Sequence, residues 1–182
     1  MSHPKHGSQL VAVFPGEQDR LIAGFAGLAI AIHLLEAAFP SPLPGVKPGL
    51  ANVITLVVAL RYGWAAAAWV SGLRVLAGSL LLGSFLSPTF FLSACGAAAA
   101  LLALGAGLRV PGRGLSAVGL GVLASLAHMT AQIVAARYVF VGHAAVFALV
   151  PPLLTAALAF GLVSGLIAHA VLGILGASGR RA

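Results

Sequence analysis

The chain has 182 residues, of which 60% are hydrophobic and only 7% are charged, with a formal net charge of +7. Soluble domains carry about 25% charged residues, so this composition excludes a soluble protein whose surface is covered by ionic groups. The basic residues stand singly between apolar runs, which is typical of membrane proteins and differs from the basic stripe that binds nucleic acid. We therefore expect an integral membrane protein with membrane lipid, and not nucleic acid, as its surroundings.

The first part of the chain predicts a polar tail, one full span and one short span. Residues 1–20 are polar, are broken by prolines and glycines, and are predicted to form a cytoplasmic tail. A membrane-spanning helix needs about 20 apolar residues, and residues 21–39 supply them. Residues 40–49 cannot be helical, because their prolines remove backbone donors. Residues 50–60 are apolar but short, so they cross the membrane only if their flanks extend the helix.

The rest of the chain completes a bundle of six transmembrane helices. Long apolar runs lie at residues 64–82, 88–107, 115–136 and 153–175. Residues 138–150 are apolar but too short to cross alone, and the following Pro151-Pro152 pair is predicted to end that segment. The prediction is an all-α membrane protein with one transmembrane domain over residues 21–176, followed by a basic cytoplasmic tail at residues 177–182.

The orientation follows from the Lys and Arg residues, which accumulate in cytoplasmic segments. With six spans and the N-terminus inside, the outer loops hold only Lys47 and Arg137. The cytoplasmic segments then hold Lys5, Arg20, Arg61, Arg109, Arg113, Arg180 and Arg181. A re-entrant segment at residues 50–60 would give five spans and a weaker asymmetry. We therefore predict that both termini lie in the cytoplasm.

Polar side chains inside the predicted spans are costly and mark candidate functional sites. Arg74 lies near the middle of its span, where a charge costs about 2.5–3.5 kcal/mol. It is expected either to pair with Glu36 or to bind an anionic or carbonyl group of a substrate. His128 and Gln132 are four residues apart and share a helix face. The histidines show no metal-site spacing, so we expect no metal and no cofactor.

Short, interrupted apolar segments point to the binding sites of transporters, and residues 50–60 and 138–150 both border the predicted outer face. They suggest an outward pocket floored by Arg74 and the face of His128 and Gln132. On the first span, Ala23, Gly27 and Ala31 are four residues apart. Small residues let helices approach closely, so this face is expected either to pack within the bundle or to dock a partner membrane protein.

Residues 43–56 (LPGVKPGLANVITL) resemble the signature of a bacterial family called Gx transporter, or heptaprenyl diphosphate synthase component I. The similarity continues through residues 73–80 and 85–90 and resumes at His128 and Gln132. In that family Asn usually follows the His and Gly precedes the Gln, whereas this chain has Met129 and Ala131. The family is similar to the S-components of energy-coupling-factor (ECF) transporters. That similarity implies a pocket near the outer face and uptake powered by a coupling transmembrane subunit and ATPases in the bacterial cytoplasmic membrane.

The first functional expectation is a non-enzymatic subunit that binds a small organic molecule for uptake. Its expected contacts are Lys47, Asn52, Arg74, His128, Gln132 and Glu36, while Trp64 or Tyr138 would either pack on the molecule or serve as interface aromatics. The alternatives are a non-catalytic accessory of isoprenoid or quinone side-chain metabolism and a structural subunit of a membrane complex. Catalysis of prenyl transfer is not expected, because it needs Mg²⁺ held by carboxylates and Asp19 is the only aspartate.

Overall fold

The computed structural model describes residues 16–38, 50–111, 114–141 and 148–178. These residues form six α-helices, in chain order α1 (Glu17–Ala38), α2 (Leu50–Tyr62), α3 (Trp64–Leu81), α4 (Pro88–Leu108), α5 (Ala117–Ala135) and α6 (Val150–Ser178). All except α2 are long and apolar enough to cross a membrane. The predicted all-α membrane bundle is confirmed, and the cytoplasmic placement of the termini stays a prediction.

The shortest helix, α2, lies at the centre of the bundle. It contacts α1, α3, α5 and α6, and its residues 55–59 are all buried. A largely apolar helix is stable when neighbours enclose it, which explains why most residues of this run are apolar. Its 13 residues measure about 20 Å, less than the roughly 30 Å of a hydrocarbon core. By itself α2 is therefore too short to cross the membrane, and residues 39–49, which precede it, lie outside the described residues.

Local signals explain where several helices begin and end. Gly63 alone separates α2 from α3 and has a φ of 95°, a conformation that residues with a side chain rarely adopt. The hydroxyl of Ser87 accepts a hydrogen bond from the N–H of Phe90 at 3.4 Å and caps α4. Pro88 follows at the first helical position, where its missing N–H is harmless. The predicted start of this helix is confirmed.

The first helix begins earlier than predicted. We expected the polar tail to reach residue 20, but α1 starts at Glu17. The N–H of Gly16 donates to the carboxylate of Asp19 at 2.9 Å. Acidic side chains in a first turn also lie near the positive end of the helix dipole. These polar residues therefore favour the start of a helix, although a prediction based on hydrophobicity places that start later.

The region between α5 and α6 also differs from the prediction. Residues 138–140 do not form a separate apolar segment, because the π-helical turn Ala136–Val141 continues α5. Pro151 and Pro152 do not end that segment either, since they lie in the first turn of α6. Proline is tolerated there because the first N–H groups of a helix have no partner within it. Residues 142–147 lie outside the described residues.

The closest backbone approach joins α5 to α6 through glycines. A Cβ atom added at Gly121 would lie 2.7 Å from the carbonyl oxygen of Gly161, and one added at Gly165 would collide with the Cα of Val118. Gly161 and Gly165 are four residues apart, the spacing that lets transmembrane helices pack closely. This contact holds together one side of the bundle.

We expect Gly165→Ala to destabilise the protein by about 1–3 kcal/mol, because the added methyl group overpacks the contact between the two backbones. The measurement is the thermal unfolding of the purified protein in mild detergent. Gly173→Ala is the matched control on the same helix, since a Cβ atom at Gly173 meets nothing within 4 Å. Equal melting temperatures for the two variants would show that the α5–α6 contact is not as close as described.

Candidate ligand-binding cavity

A cavity of about 570 Å³ lies at one end of the bundle, which we call the cavity end. Ligand pockets in proteins measure about 300–1,000 Å³. The C-terminal parts of α1 and α3 and the N-terminal parts of α2 and α6 line it, together with most of the length of α4, as far as Leu104, and of α5, from Gly121. The cavity therefore reaches from this end deep into the bundle. The opposite end, which we call the far end, carries Arg61 and Arg109. The charge distribution predicts that the cavity end faces outside.

All but one of the predicted binding residues line this cavity, namely Glu36, Asn52, Arg74, His128 and Gln132. They come from four helices, α1, α2, α3 and α5. Lys47 lies outside the described residues. The structure thus brings the predicted residues to one place, and their contact with a ligand stays a prediction.

The turn at Gly63 places Asn52 and Arg74 beside the same space. The two residues are equally distant from Gly63 along the chain, one on α2 and the other on α3. Both line the cavity, so the two helices run back along each other from the turn. This arrangement sets Arg74 level with the beginning of α2.

Arg74 and Glu36 are both buried, with 7% of each residue exposed. They lie close enough for their opposite charges to attract each other, and both alternatives for Arg74, pairing with Glu36 and binding a ligand, stay predictions. The Nε atom of Arg74 is nevertheless buried without a hydrogen-bond partner. An unsatisfied buried donor costs about 1–3 kcal/mol, so the attraction to Glu36 does not satisfy the whole guanidinium group.

The imidazole of His128 lies directly against the backbone of Gly96. A Cβ atom added at Gly96 would lie 2.7 Å from both Cε1 and Nε2 of the imidazole, so this approach requires glycine. The imidazole is hydrogen-bonded to the Gly96 backbone, while its Nδ1 atom is buried without a hydrogen-bond partner. Gln132 lies one turn further along α5 and lines the same cavity.

Comparison with known families identifies the chain. A family profile described as heptaprenyl diphosphate synthase component I matches residues 25–171, which include part or all of every helix around the cavity. The chain belongs to this family. The resemblance expected from the proline-rich segment and the arginine segment is confirmed. No curated protein and no solved structure is similar enough to this chain to match it.

The hydroxyl groups around the cavity were not predicted from the sequence. The cavity is also lined by Thr55, Ser71, Ser79, Ser93, Ser125 and Ser164. Thr55 follows Asn52 by three residues and Ser71 precedes Arg74 by three. Residues three apart share a helix face, so this spacing was a usable signal. Serine and threonine are common in transmembrane helices, however, and spacing alone does not separate a cavity face from a packing face.

Two predicted aromatic contacts lie elsewhere. Trp64 is not among the described lining residues, and its indole N–H donates to the carbonyl of Leu101 at 2.7 Å. Tyr138 is 75% exposed and is not among the described lining residues. Both positions suit aromatic residues at a membrane interface, which was the alternative interpretation.

The small-residue face of α1 is not used inside the described bundle. Ala23, Gly27 and Ala31 are all exposed, and a Cβ atom added at Gly27 meets nothing within 4 Å. Packing within the bundle was one of the two expectations for this face. Among the described residues, no neighbouring helix covers it.

The cavity has a polar side and an apolar side. The charged and amide side chains belong to α1, α2 and α3 and to the inner face of α5. The side chains from α4 and α6 are largely apolar and include Phe90, Leu92, Leu153 and Phe160. A ligand that fills this space would therefore need a polar group on one side and apolar surface on the other.

We expect Gly96→Ala to destabilise the protein by about 1–3 kcal/mol, because its methyl group would overlap the imidazole of His128. Combining it with His128→Ala leaves room for the methyl group. The double variant should therefore lose less stability than the sum of the two single losses, as measured by chemical unfolding in detergent.

Gly72→Ala is the control for this pair, since Gly72 is exposed and a Cβ atom there meets nothing within 4 Å. Strictly additive losses for Gly96→Ala and His128→Ala would contradict the contact between the imidazole and Gly96.

Proposed function

We propose that this chain is a membrane subunit that binds a small organic molecule in the cavity and holds it for uptake, as an S-component does. The strongest support is that three buried polar atoms of cavity-lining residues lack hydrogen-bond partners, namely Arg74 Nε, Thr55 Oγ1 and His128 Nδ1. Buried polar groups are satisfied in the great majority of cases, so three exceptions around one cavity suit a polar ligand. The guanidinium group favours an anionic or carbonyl group on that ligand.

The family description supports a second candidate, a non-catalytic accessory of heptaprenyl diphosphate synthesis. Of the three acidic residues in the chain, Glu36 alone lines the cavity, which is too little to hold Mg²⁺ against a diphosphate. A bound prenyl chain would favour a long apolar groove open to lipid. The polar side of the cavity instead favours a smaller molecule with hydrogen-bonding groups, so we place the accessory role second.

Uptake needs a source of energy, and we propose that a partner supplies it. The chain contains no phosphate-binding loop of its own. The exposed face of Ala23, Gly27 and Ala31 would dock a coupling transmembrane subunit, because small residues let another helix approach closely. That subunit would work with ATPases at the bacterial cytoplasmic membrane.

Replacing Arg74 tests the binding site directly. We expect Arg74→Ala to lose the molecule that co-purifies with the wild type, because the guanidinium is the strongest donor in the cavity. Native mass spectrometry, together with organic extraction and chromatography–mass spectrometry, compares the bound molecules. A polar metabolite found only in the wild type supports the proposal, whereas a polyprenyl lipid retained in both proteins supports the accessory role.

Two further variants control for folding and for charge. Arg61→Ala removes an exposed arginine at the far end, where its guanidinium lies over the ring of Tyr62 at 5.6 Å, and should retain the molecule. Asn52→Ala removes a neutral side chain of the cavity and should weaken binding. Unlike Arg74→Ala, it keeps the positive charge that balances the negative charge of Glu36. Retention of an equal amount of the polar molecule by Arg74→Ala would contradict the proposed site.

The proposal also requires the cavity end to face outside. Helix α6 begins at the cavity end, so its C-terminal end lies at the far end, which we predict to be cytoplasmic. A green fluorescent protein fused to the C-terminus should fluoresce, and an alkaline phosphatase fused there should be inactive. The opposite pair of results would turn the cavity toward the cytoplasm and contradict uptake.

A further inference from the structure

The charges around the cavity limit the charge of the molecule that fits it. Among the described lining residues, Arg74 is the single permanently cationic side chain and Glu36 the single carboxylate. Both side chains are buried, and the positive charge of one balances the negative charge of the other. Uncompensated charge is costly inside a membrane protein, so a molecule with a net charge would disturb this balance while one without net charge would keep it.

One region of the cavity suits a carboxylate. Arg74 provides a buried Nε–H without a partner, and Thr55 provides a hydroxyl without a partner. Thr55 is only 5% exposed. Thr55 lies in the second turn of α2 and Arg74 beside its first turn, and the N-terminal part of a helix attracts negative charge through its dipole. The guanidinium group of Arg74, the hydroxyl group of Thr55 and the N-terminal part of α2 therefore all favour a carboxylate group in this region.

A second set of groups suits an ammonium group. The carboxylate of Glu36 is a hydrogen-bond acceptor. A neutral imidazole that donates one N–H to the Gly96 backbone keeps its other nitrogen as an acceptor, and in His128 that nitrogen, Nδ1, is buried without a hydrogen-bond partner. The side chains of Phe90, Leu153 and Phe160 then supply an apolar surface from α4 and α6.

We propose that the cavity binds a zwitterion of the amino-acid type. Its carboxylate lies against Arg74 and the beginning of α2, its ammonium group lies against Glu36 and His128, and its apolar side group lies against α4 and α6. This inference rests on the proposed function, because it names the class of molecule that the subunit takes up. It depends on the balance of the charges of Arg74 and Glu36 and on the unpartnered polar atoms of Arg74, Thr55 and His128.

Matched compounds test the charge requirement on the wild-type protein. The first set is phenylalanine, hydrocinnamate and phenethylamine, and the second is leucine, isocaproate and isoamylamine. Each set keeps one apolar group while the net charge changes from zero to negative to positive. The measurement is the melting temperature in detergent at equal compound concentrations. We expect the zwitterion to raise the melting temperature most in at least one set, because ligands stabilise the state that they bind.

Replacing Glu36 should change the affinities for a zwitterion and for an anion in opposite directions. The zwitterion used is the one that raises the melting temperature most. Glu36→Gln removes the partner of the ammonium group and should weaken zwitterion binding about tenfold or more, since breaking a buried charge contact is costly. The same change removes a repelling charge from a bound anion, so hydrocinnamate or isocaproate should bind the variant more tightly than the wild type. Glu17→Gln at the far end is the matched control and should change neither affinity.

The outcomes separate this inference from the proposed function. The zwitterion proposal is overturned if an anion stabilises the wild type to the same extent as the matching zwitterion, or if Glu36→Gln tightens zwitterion binding. The proposed function as a binding subunit would remain in either case. If isopentenyl diphosphate alone stabilises the protein, the ligand is a multiply charged anion and the accessory role gains support. If no compound stabilises the protein and Arg74→Ala loses no polar metabolite, both proposals fail.

Discussion

A positively charged side chain inside a membrane bundle is stable only where polar groups surround it, and much of this structure follows from that constraint at Arg74. Glu36 on α1, Asn52 and Thr55 on α2, and His128 on α5 all line the space that Arg74 lines. Large apolar side chains such as those of Leu80, Leu102 and Leu166 are exposed on the outside of the bundle. The helices thus turn their polar positions inward and leave apolar surface for lipid.

The central position of α2 makes room for these polar groups. Its buried residues Val57 and Val58 fill the middle of the bundle, while Asn52 and Thr55 nearer its beginning line the cavity. The surrounding helices are longer, and their polar side chains line the same cavity. The glycine contact holds α5 and α6 close together, and the missing side chain of Gly96 leaves room for the imidazole of His128 beside α4.

The family description and the ligand that we propose imply molecules of different charge. A diphosphate carries several negative charges, and the described wall offers one arginine against one glutamate. An accessory protein that held a prenyl diphosphate would be expected to present more cations and fewer acids. The balanced pair at Arg74 and Glu36 instead favours a molecule that is polar at two points and apolar elsewhere. Membership of the family therefore identifies relatives of the chain without identifying its ligand.

The sequence by itself determined the membrane class, the long spans and the start of α4, because hydrophobic run length and capping residues are local properties. It also singled out Glu36, Asn52, Arg74 and His128, since polar residues in apolar runs are conspicuous. Only the tertiary structure decided that these side chains line one cavity, that Thr55 belongs with them, and that Gly165 packs against α5. Helical spacing shows which residues share a face, but it does not show which neighbouring helix that face meets.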